Sequence, residues 1–190
     1  MKDVIVIGGP NGAGKTTAAA WLLPRTLGIP EFVNADEIAH GLSPFNPGGM
    51  AFAAGRLMIE RIHTLVRAGE SFAFETTCAG RGHARLLRLC RTADYRLTLL
   101  FLWLPTPQAA MARVARRVEE GGHFVPDAIV VRRYRVGLYN MRQLYMPLVD
   151  IAVIYDNSDG AAVLVAERGT SGRFIIHDRA RWKRIEEATR

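Results

Sequence analysis

A three-layer α/β fold, with a mostly parallel sheet of about five strands covered by helices, is the architecture this sequence predicts. Three observations carry that expectation. Short apolar, β-branched runs alternate with longer stretches whose apolar residues recur at helical spacing. The runs are apolar at successive positions, as strands buried on both faces must be. Directly after the first run, Gly9-Pro10-Asn11-Gly12-Ala13-Gly14-Lys15-Thr16 fits G-x-x-x-x-G-K-[ST] between a strand and a helix.

Each element has its own reason. Residues 4–7 (VIVI) are the first buried strand, and residues 16–23 form a helix that Pro24 should stop. A second short strand, residues 31–34, ends at Ala35 and Asp36, with a helical turn at residues 37–40 and a Pro/Gly-rich loop at residues 43–49. From residue 50 to 68, Phe52, Leu57, Met58, Ile62, Leu65 and Val66 mark a buried helix face, and Gly69 ends it. Residues 71–74 are a third strand that delivers Glu75, Thr76 and Thr77 to its end; residues 82–93 are a helix with a basic outer face. The run YRLTLLFLWL, residues 95–104, is the longest apolar stretch and reads as a central strand closed by Pro105.

Two Arg-rich helices follow, residues 107–120 and 126–145, separated by a glycine-started break at residues 121–125. That break inside one Arg-rich region predicts a lid, about residues 107–145, rather than a domain boundary. Residues 149–155 are a fifth core strand; residues 161–166 and 173–176 flank a GTSG turn as a hairpin, and the C-terminal dozen residues read as a helix. With no repeat and no linker, residues 1–190 are expected to form one domain.

Composition narrows the function. The chain is 49% hydrophobic and 23% charged, an ordinary globular balance. Its 25 basic and 18 acidic residues leave a net charge of +7, which suits anionic ligands; the arginines are spread over helices rather than gathered in a tail, which disfavours nucleic acid. Cys78 and Cys90 lack metal-type spacing, as in a reduced cytoplasmic protein, and the first apolar run is too short for a leader or a membrane span.

The Gly-rich loop predicts a P-loop NTPase fold. Gly9, Pro10, Asn11, Gly12, Ala13, Gly14, Lys15, Thr16 and Thr17 would wrap a triphosphate, with successive backbone N–H groups and the following helix N-terminus turned toward it. Lys15 would reach the β- and γ-phosphates, and the Thr16 hydroxyl would ligate Mg²⁺. A transporter-type ATPase also needs an LSGGQ-like loop and a strand ending in Asp-Glu, and the sequence has neither.

Ligands of an open parallel sheet gather at the carboxyl ends of its strands. Two acidic clusters fall there, Asn34-Ala35-Asp36-Glu37 and Glu75-Thr76-Thr77. Carboxylates facing phosphates make sense if they hold Mg²⁺ or an acceptor hydroxyl. Asp36 is the candidate general base, the alternative being a helix N-cap. Glu75 is the candidate grip on the acceptor, with Thr76 and Asn34 beside it; its alternative is a place behind Mg²⁺. Arg113, Arg116 and Arg117 precede the break and Arg132, Arg133 and Arg135 follow it; Arg117 and Arg132 are the candidates for covering the transferred phosphoryl group. His123 is a loop residue with at most a polar lid contact.

Taken together, GGPNGAGKTT, VNADEIA with SPFNP, FAFETT and the Arg-rich GGHFVP segment resemble the zeta-toxin family of P-loop kinases, over about residues 1–157. The resemblance implies ATP, or GTP, and Mg²⁺ as cofactors, and as acceptor the 3′-hydroxyl of the amino sugar in UDP-N-acetylglucosamine. It implies the base at Asp36, the loop lysine and threonine at Lys15 and Thr16, an acceptor-binding glutamate at Glu75, and an antitoxin protein as partner. The chain departs from the family in two ways. The second lid arginine falls on Gly121-Gly122-His123, leaving Arg132 or Arg133 as its replacement, and the extra helices that shape the sugar-nucleotide pocket are missing. Two other functions share the P-loop: a polynucleotide end kinase, which needs a basic groove with stacking aromatics, and a nucleotide-binding regulator, which has no use for Asp36.

Overall fold

The computed structural model describes residues 1–122 and 124–189, and of residues 25 and 26 the backbone alone. In it β1 (Lys2–Gly8) leads through the Gly-rich loop into α1 (Lys15–Leu22). Then come β2 (Glu31–Val33), α2 (Ala35–Leu42), a 3₁₀ turn at Pro47–Met50 and α3 (Ala51–Ala68). β3 (Phe72–Thr76), α4 (Gly82–Thr92), β4 (Tyr95–Trp103), α5 (Pro107–Glu119), α6 (Asp127–Asn140) and β5 (Ile151–Asp156) complete the alternating part. β6 (Val163–Arg168), β7 (Phe174–Ile176) and α7 (Arg179–Ala188) follow. One mixed sheet of seven strands runs in the order β2-β3-β1-β4-β5-β6-β7. The five expected strands are its parallel part, and the hairpin joins the same sheet antiparallel to β5.

The pleat divides the apolar side chains between two faces. Val4, Val6, Phe72, Phe74, Leu97, Leu99 and Phe101 point to the face where α3 to α7 pack, in one continuous core. Ile5, Ile7 and Ala73 point the other way, onto Ala19 of α1, Leu23 and Ile29. This second face is covered only in part: Thr98, Leu100, Ile151, Val153 and Trp21 line an apolar trough of about 580 Å³. Among the described residues no helix is long and apolar enough to cross a membrane.

Two expectations need correction. Pro24 does not stop the first helix, which continues as a π-helical turn over Leu23–Leu27. Pro24 falls where the hydrogen-bond register passes from i−4 (Leu23 N–H to Ala19 O) to i−5, the kind of local bulge that accommodates a missing donor within a helix. The turn closes with the Gly28 N–H donating to Leu23 O, at a left-handed φ of 62°. In α3 the buried stripe is Ala54, Met58, Ile62 and Leu65, a 3.6-residue period. Phe52 and Leu57, counted as core from the sequence, are exposed. Phe52 lies two residues from Ala54, about 200° around the helix, and meets the Arg56 guanidinium 5.9 Å from its ring centre.

α6 and the turn after it are fastened to the loop that follows β3. Asn140 donates to Cys78 O at 2.9 Å and the Tyr145 hydroxyl donates to Gly80 O at 2.9 Å. Gly137 lets the backbones meet: a Cβ there would stand 2.3 Å from Thr77 O. Gly137→Ala should therefore cost about 1–3 kcal/mol, as overpacking does. A thermal melt should show Tm lower by about 2–4 °C for each kcal/mol; an unchanged melt would mean that the helix and the loop separate without cost.

Candidate functional site

The Gly-rich loop sits between the ends of β3 and β4, since Gly8 at the close of β1 pairs with Thr76 on one side and Phe101 on the other. Two of its glycines are required by space. A Cβ on Gly9, whose φ is 149°, would lie 2.4 Å from Leu102 O. Gly14, the N-cap of α1 at φ 82°, would push a Cβ to 2.8 Å from the Asn157 amide nitrogen. That amide holds the loop from behind, donating to Ala13 O at 2.8 Å. Arg113, expected among the lid arginines, does similar work: it donates to Ser158 O at 2.7 Å and approaches Gly12 O at 3.5 Å. The loop is thus shaped by a residue on α5 and by the residues just after β5.

Lys15 is 6% exposed; its ammonium donates to Pro10 O at 2.9 Å and stands 3.5 Å from Glu75 Oε1. The other Glu75 oxygen accepts from the Thr16 hydroxyl at 2.7 Å and from Asn34 Nδ2 at 3.1 Å. Both Glu75 oxygens are therefore engaged with residues of the Gly-rich loop and with Asn34. Asn34 has a second task, since its Oδ1 accepts the Asp36 N–H at 2.8 Å and caps α2. The N-cap role weighed for Asp36 belongs to Asn34, and the Asp36 carboxylate is left exposed at the first turn of the helix.

Asp36 borders three adjoining cavities. The innermost, about 190 Å³, is lined by Asn11, Lys15, Glu75, His83, Arg117 and Arg133. A second, about 640 Å³, adds Thr16, His40, Phe45, Gly122 and Phe124. The third, about 540 Å³, is bordered by Phe45, Phe124, Arg132 and Arg133. Of the arginines singled out from sequence, Arg117 and Arg133 face the innermost space and Arg132 the outer one. Arg116 pairs with Glu120 at 3.0 Å on the exposed side of α5, and Arg135 lines a separate cleft with Tyr139. His123 lies outside the described residues.

The donors fit a nucleotide-bound Mg²⁺. The Thr16 hydroxyl gives its proton to Glu75 and keeps its lone pairs for a cation. Among the described residues no cluster of three or more His, Cys, Asp or Glu side chains could hold a metal by itself. A Mg²⁺ that arrives with a nucleotide would need only one or two protein oxygens, its other ligands being phosphates and water.

Sequence reasoning gave no site role to several of the lining residues, His83, Phe45 and Phe124 among them. His83, on the first turn of α4, shares a 3.1 Å hydrogen bond between Nδ1 and the Thr76 hydroxyl and packs on Phe74. A helix that starts six residues after a strand end brings its first turn to the carboxyl edge of the sheet, which was the available signal. Phe45 and Phe124 stand in loops beside prolines, where an aromatic is held away from the core. Cys78, by contrast, is fully buried, and burial pushes its thiol up to about 12, so it is no nucleophile.

Burial also lowers the pKa of His83 from its ordinary 6.5. The unfolded chain takes up this proton as pH falls through about 6.5, and the folded chain takes it up only lower. Stability should therefore fall as pH drops through that window. Melts between about pH 7 and pH 5 should lose more Tm in the native chain than in His83→Gln; parallel losses would show the imidazole titrating freely.

A family model described as AAA domain (AAA_33) matches residues 4–136. An uncharacterized protein of Haemophilus influenzae is 27% identical over 126 residues, which cover 66% of this chain and 88% of that one. Among solved structures, the AvrRxo1-ORF1:-ORF2 complex with ATP superposes with a TM-score of 0.78 at 17% identity, over 97% of this chain and 63% of that chain. The chain thus spans less than two thirds of that protein. The structure of the PezAT chromosomal toxin-antitoxin system of Streptococcus pneumoniae gives 0.68 at 15% identity, over 99% of this chain and 84% of that one. At such identities what is shared is the P-loop α/β fold.

Proposed function

The chain belongs to the AAA_33 family of AAA domains, and on that premise we propose that it is a zeta-toxin-like P-loop kinase, moving the γ-phosphoryl group of ATP to a hydroxyl of a small molecule. The observation that carries the reading is the position of Asp36: its carboxylate stands at the mouth of a cavity whose floor is Lys15 and the Gly-rich loop. A bare nucleotide-binding regulator has no need of a carboxylate there.

Each residue has a task. Backbone N–H groups of residues 11, 12 and 14–16 bind the triphosphate, while those of Gly9 and Ala13 hold the loop itself, and Lys15 turns from Pro10 O to the β- and γ-phosphates. Mg²⁺, when bound, neutralises charge on those phosphates, and Thr16 offers it an oxygen. Glu75 fixes that hydroxyl and the lysine, which favours its place behind the cation over a grip on the acceptor. Asp36 accepts the proton of the attacking hydroxyl, and Arg117 and Arg133 lie over the phosphoryl group in flight, with Arg132 further out.

A nucleotide sugar such as UDP-N-acetylglucosamine is the first acceptor to try, since the outer cavities exceed what a simple sugar fills. A cytoplasmic setting and an antitoxin-type partner complete the proposal; the PezAT system is a toxin-antitoxin pair in its own right. The test is incubation with labelled ATP or GTP and a panel of UDP-sugars, nucleosides and oligonucleotides, read by mass spectrometry. One phosphate gained by a small molecule supports the reading. Gain by oligonucleotides alone would make this an end-processing kinase, and hydrolysis without any transfer would leave only a nucleotide-binding regulator.

A further inference from the structure

We infer that the half-covered face of the sheet is where two copies of this chain meet, in a two-fold dimer with Trp21 as its anchor. Such a dimer is independent of whether the chain transfers phosphate.

Parallel strands are almost always covered on both faces. Here α3 to α7 cover one face, while α1 and the turn after it cover only β1 and β3 on the other. Beside α1 the apolar trough of about 580 Å³ stays open, lined by Thr98, Leu100, Ile151 and Val153. All four are half-buried. Their neighbours along the strands, Leu99, Ala152 and Ile154, turn to the other face and are fully buried. The open face continues across the hairpin, where Leu164 lies opposite Tyr155. Next to it Ile175, 40% exposed, lies opposite Glu167.

Surface area, charge and shape point to one occupant. The chain exposes 10175 Å², where a folded monomer of 21.0 kDa ordinarily exposes about 9,000 Å². The surplus of about 1,200 Å² exceeds the roughly 800 Å² that each partner gives to a standard interface. The basic surplus is carried by α3 to α7, against the opposite face. Among the described residues, the charged side chains lining the trough are Asp3 and Arg96, which pair with each other at 2.6 Å. An acidic protein or a nucleic acid finds no free charge to grip there. Two copies, each at +7, can meet there without like charges opposing.

A two-fold contact joins a patch to itself, so protrusion and recess must lie together on it. Trp21 is 60% exposed and Leu27 46% exposed, and both border the trough. Tryptophan is among the residues most enriched at interface anchor positions. Trp21 lies near the end of α1, the helix that Lys15 opens, so a partner copy would brace the helix that follows the Gly-rich loop. The cavities around Asp36 share no lining residue with the trough and stay open in the dimer.

Sedimentation equilibrium of the full chain, from about 1 to 100 µM, brackets the micromolar and tighter affinities of standard interfaces. The mass should rise from that of one chain toward twice 21.0 kDa. It should rise equally in about 0.1 M and about 1 M NaCl, because the contact has no unpaired charge to screen. Trp21→Glu and Thr98→Lys should each raise the dimer Kd by about 30-fold or more, the scale of losing one anchor. Trp21→Phe should keep the dimer. Far-UV circular dichroism checks that each variant is folded.

A monomer at every concentration overturns the dimer. So does a dimer that both substitutions leave intact, or one that dissociates in high salt, since either is held by another surface. Should the substitutions cost the fold, the concentration and salt series of the native chain still decides. A monomer that floats with phosphatidylcholine vesicles would give this face to a membrane surface and likewise overturn the dimer.

Discussion

Asp36→Asn should bind Mg-ATP as the native chain does and transfer phosphate about 10²–10⁴-fold more slowly, the usual worth of general-base assistance. The isosteric amide preserves the first turn of α2, because the cap is made by Asn34 and uses only the backbone N–H of residue 36. Structure and nucleotide affinity are thereby separated from proton acceptance. Single-turnover transfer with saturating ATP is the right measurement, since it excludes product release. A native rate would remove Asp36 from the chemistry; a lost rate with lost ATP binding would make it part of the nucleotide site.

Lys15→Ala has the second large effect. Its ammonium is buried, and it stands between Pro10 O and Glu75 with the triphosphate cradle in front of it. Truncating one member of a buried charged pair typically costs about 2–5 kcal/mol, so ATP affinity should fall about 30- to 5,000-fold. ADP should lose less, roughly tenfold at most, because it lacks the γ-phosphate that a P-loop lysine reaches. Equal losses for the two nucleotides would place the side chain away from the terminal phosphate. Glu75 keeps Thr16 and Asn34 as partners in this variant, so the fold should survive the change.

The parts of this molecule that can be read from the chain are those ruled by local chemistry. Residues 9–16 announce themselves because few other sequences let a backbone bend around an anion between a strand and a helix. The parallel strands are legible for a similar reason: VIVI and LLFL leave nothing polar to place on either face. What escaped is set by distant packing. Whether Phe52 or Ala54 turns inward depends on the phase of α3 against the sheet, and residues 50–68 carry enough apolar side chains to suit more than one phase. The carboxylate of Glu75 looks free in FAFETT, and only the approach of Lys15, Thr16 and Asn34 gives it partners. Arg113 reads as one more lid arginine until α5 is laid against Gly12. Phe45 was passed over because a Pro/Gly-rich loop gives no periodicity from which to infer a role.

β1 lies inside the sheet although it precedes the other six strands in the chain. Its two neighbours, β3 and β4, end only at Thr76 and Trp103, and the amide that braces Ala13 arrives with Asn157. Until residue 76 is made, then, the nascent chain carries an apolar strand with both edges bare, and until residue 103 one edge stays bare, the kind of segment that pairs with the wrong partner. No ligand can rescue it early, because the cradle that would bind one is finished among the last of the core elements. Premature termination anywhere upstream of residue 103 should give insoluble fragments rather than weakened protein, and a chaperone that shields β1 should raise yield more than added ATP does.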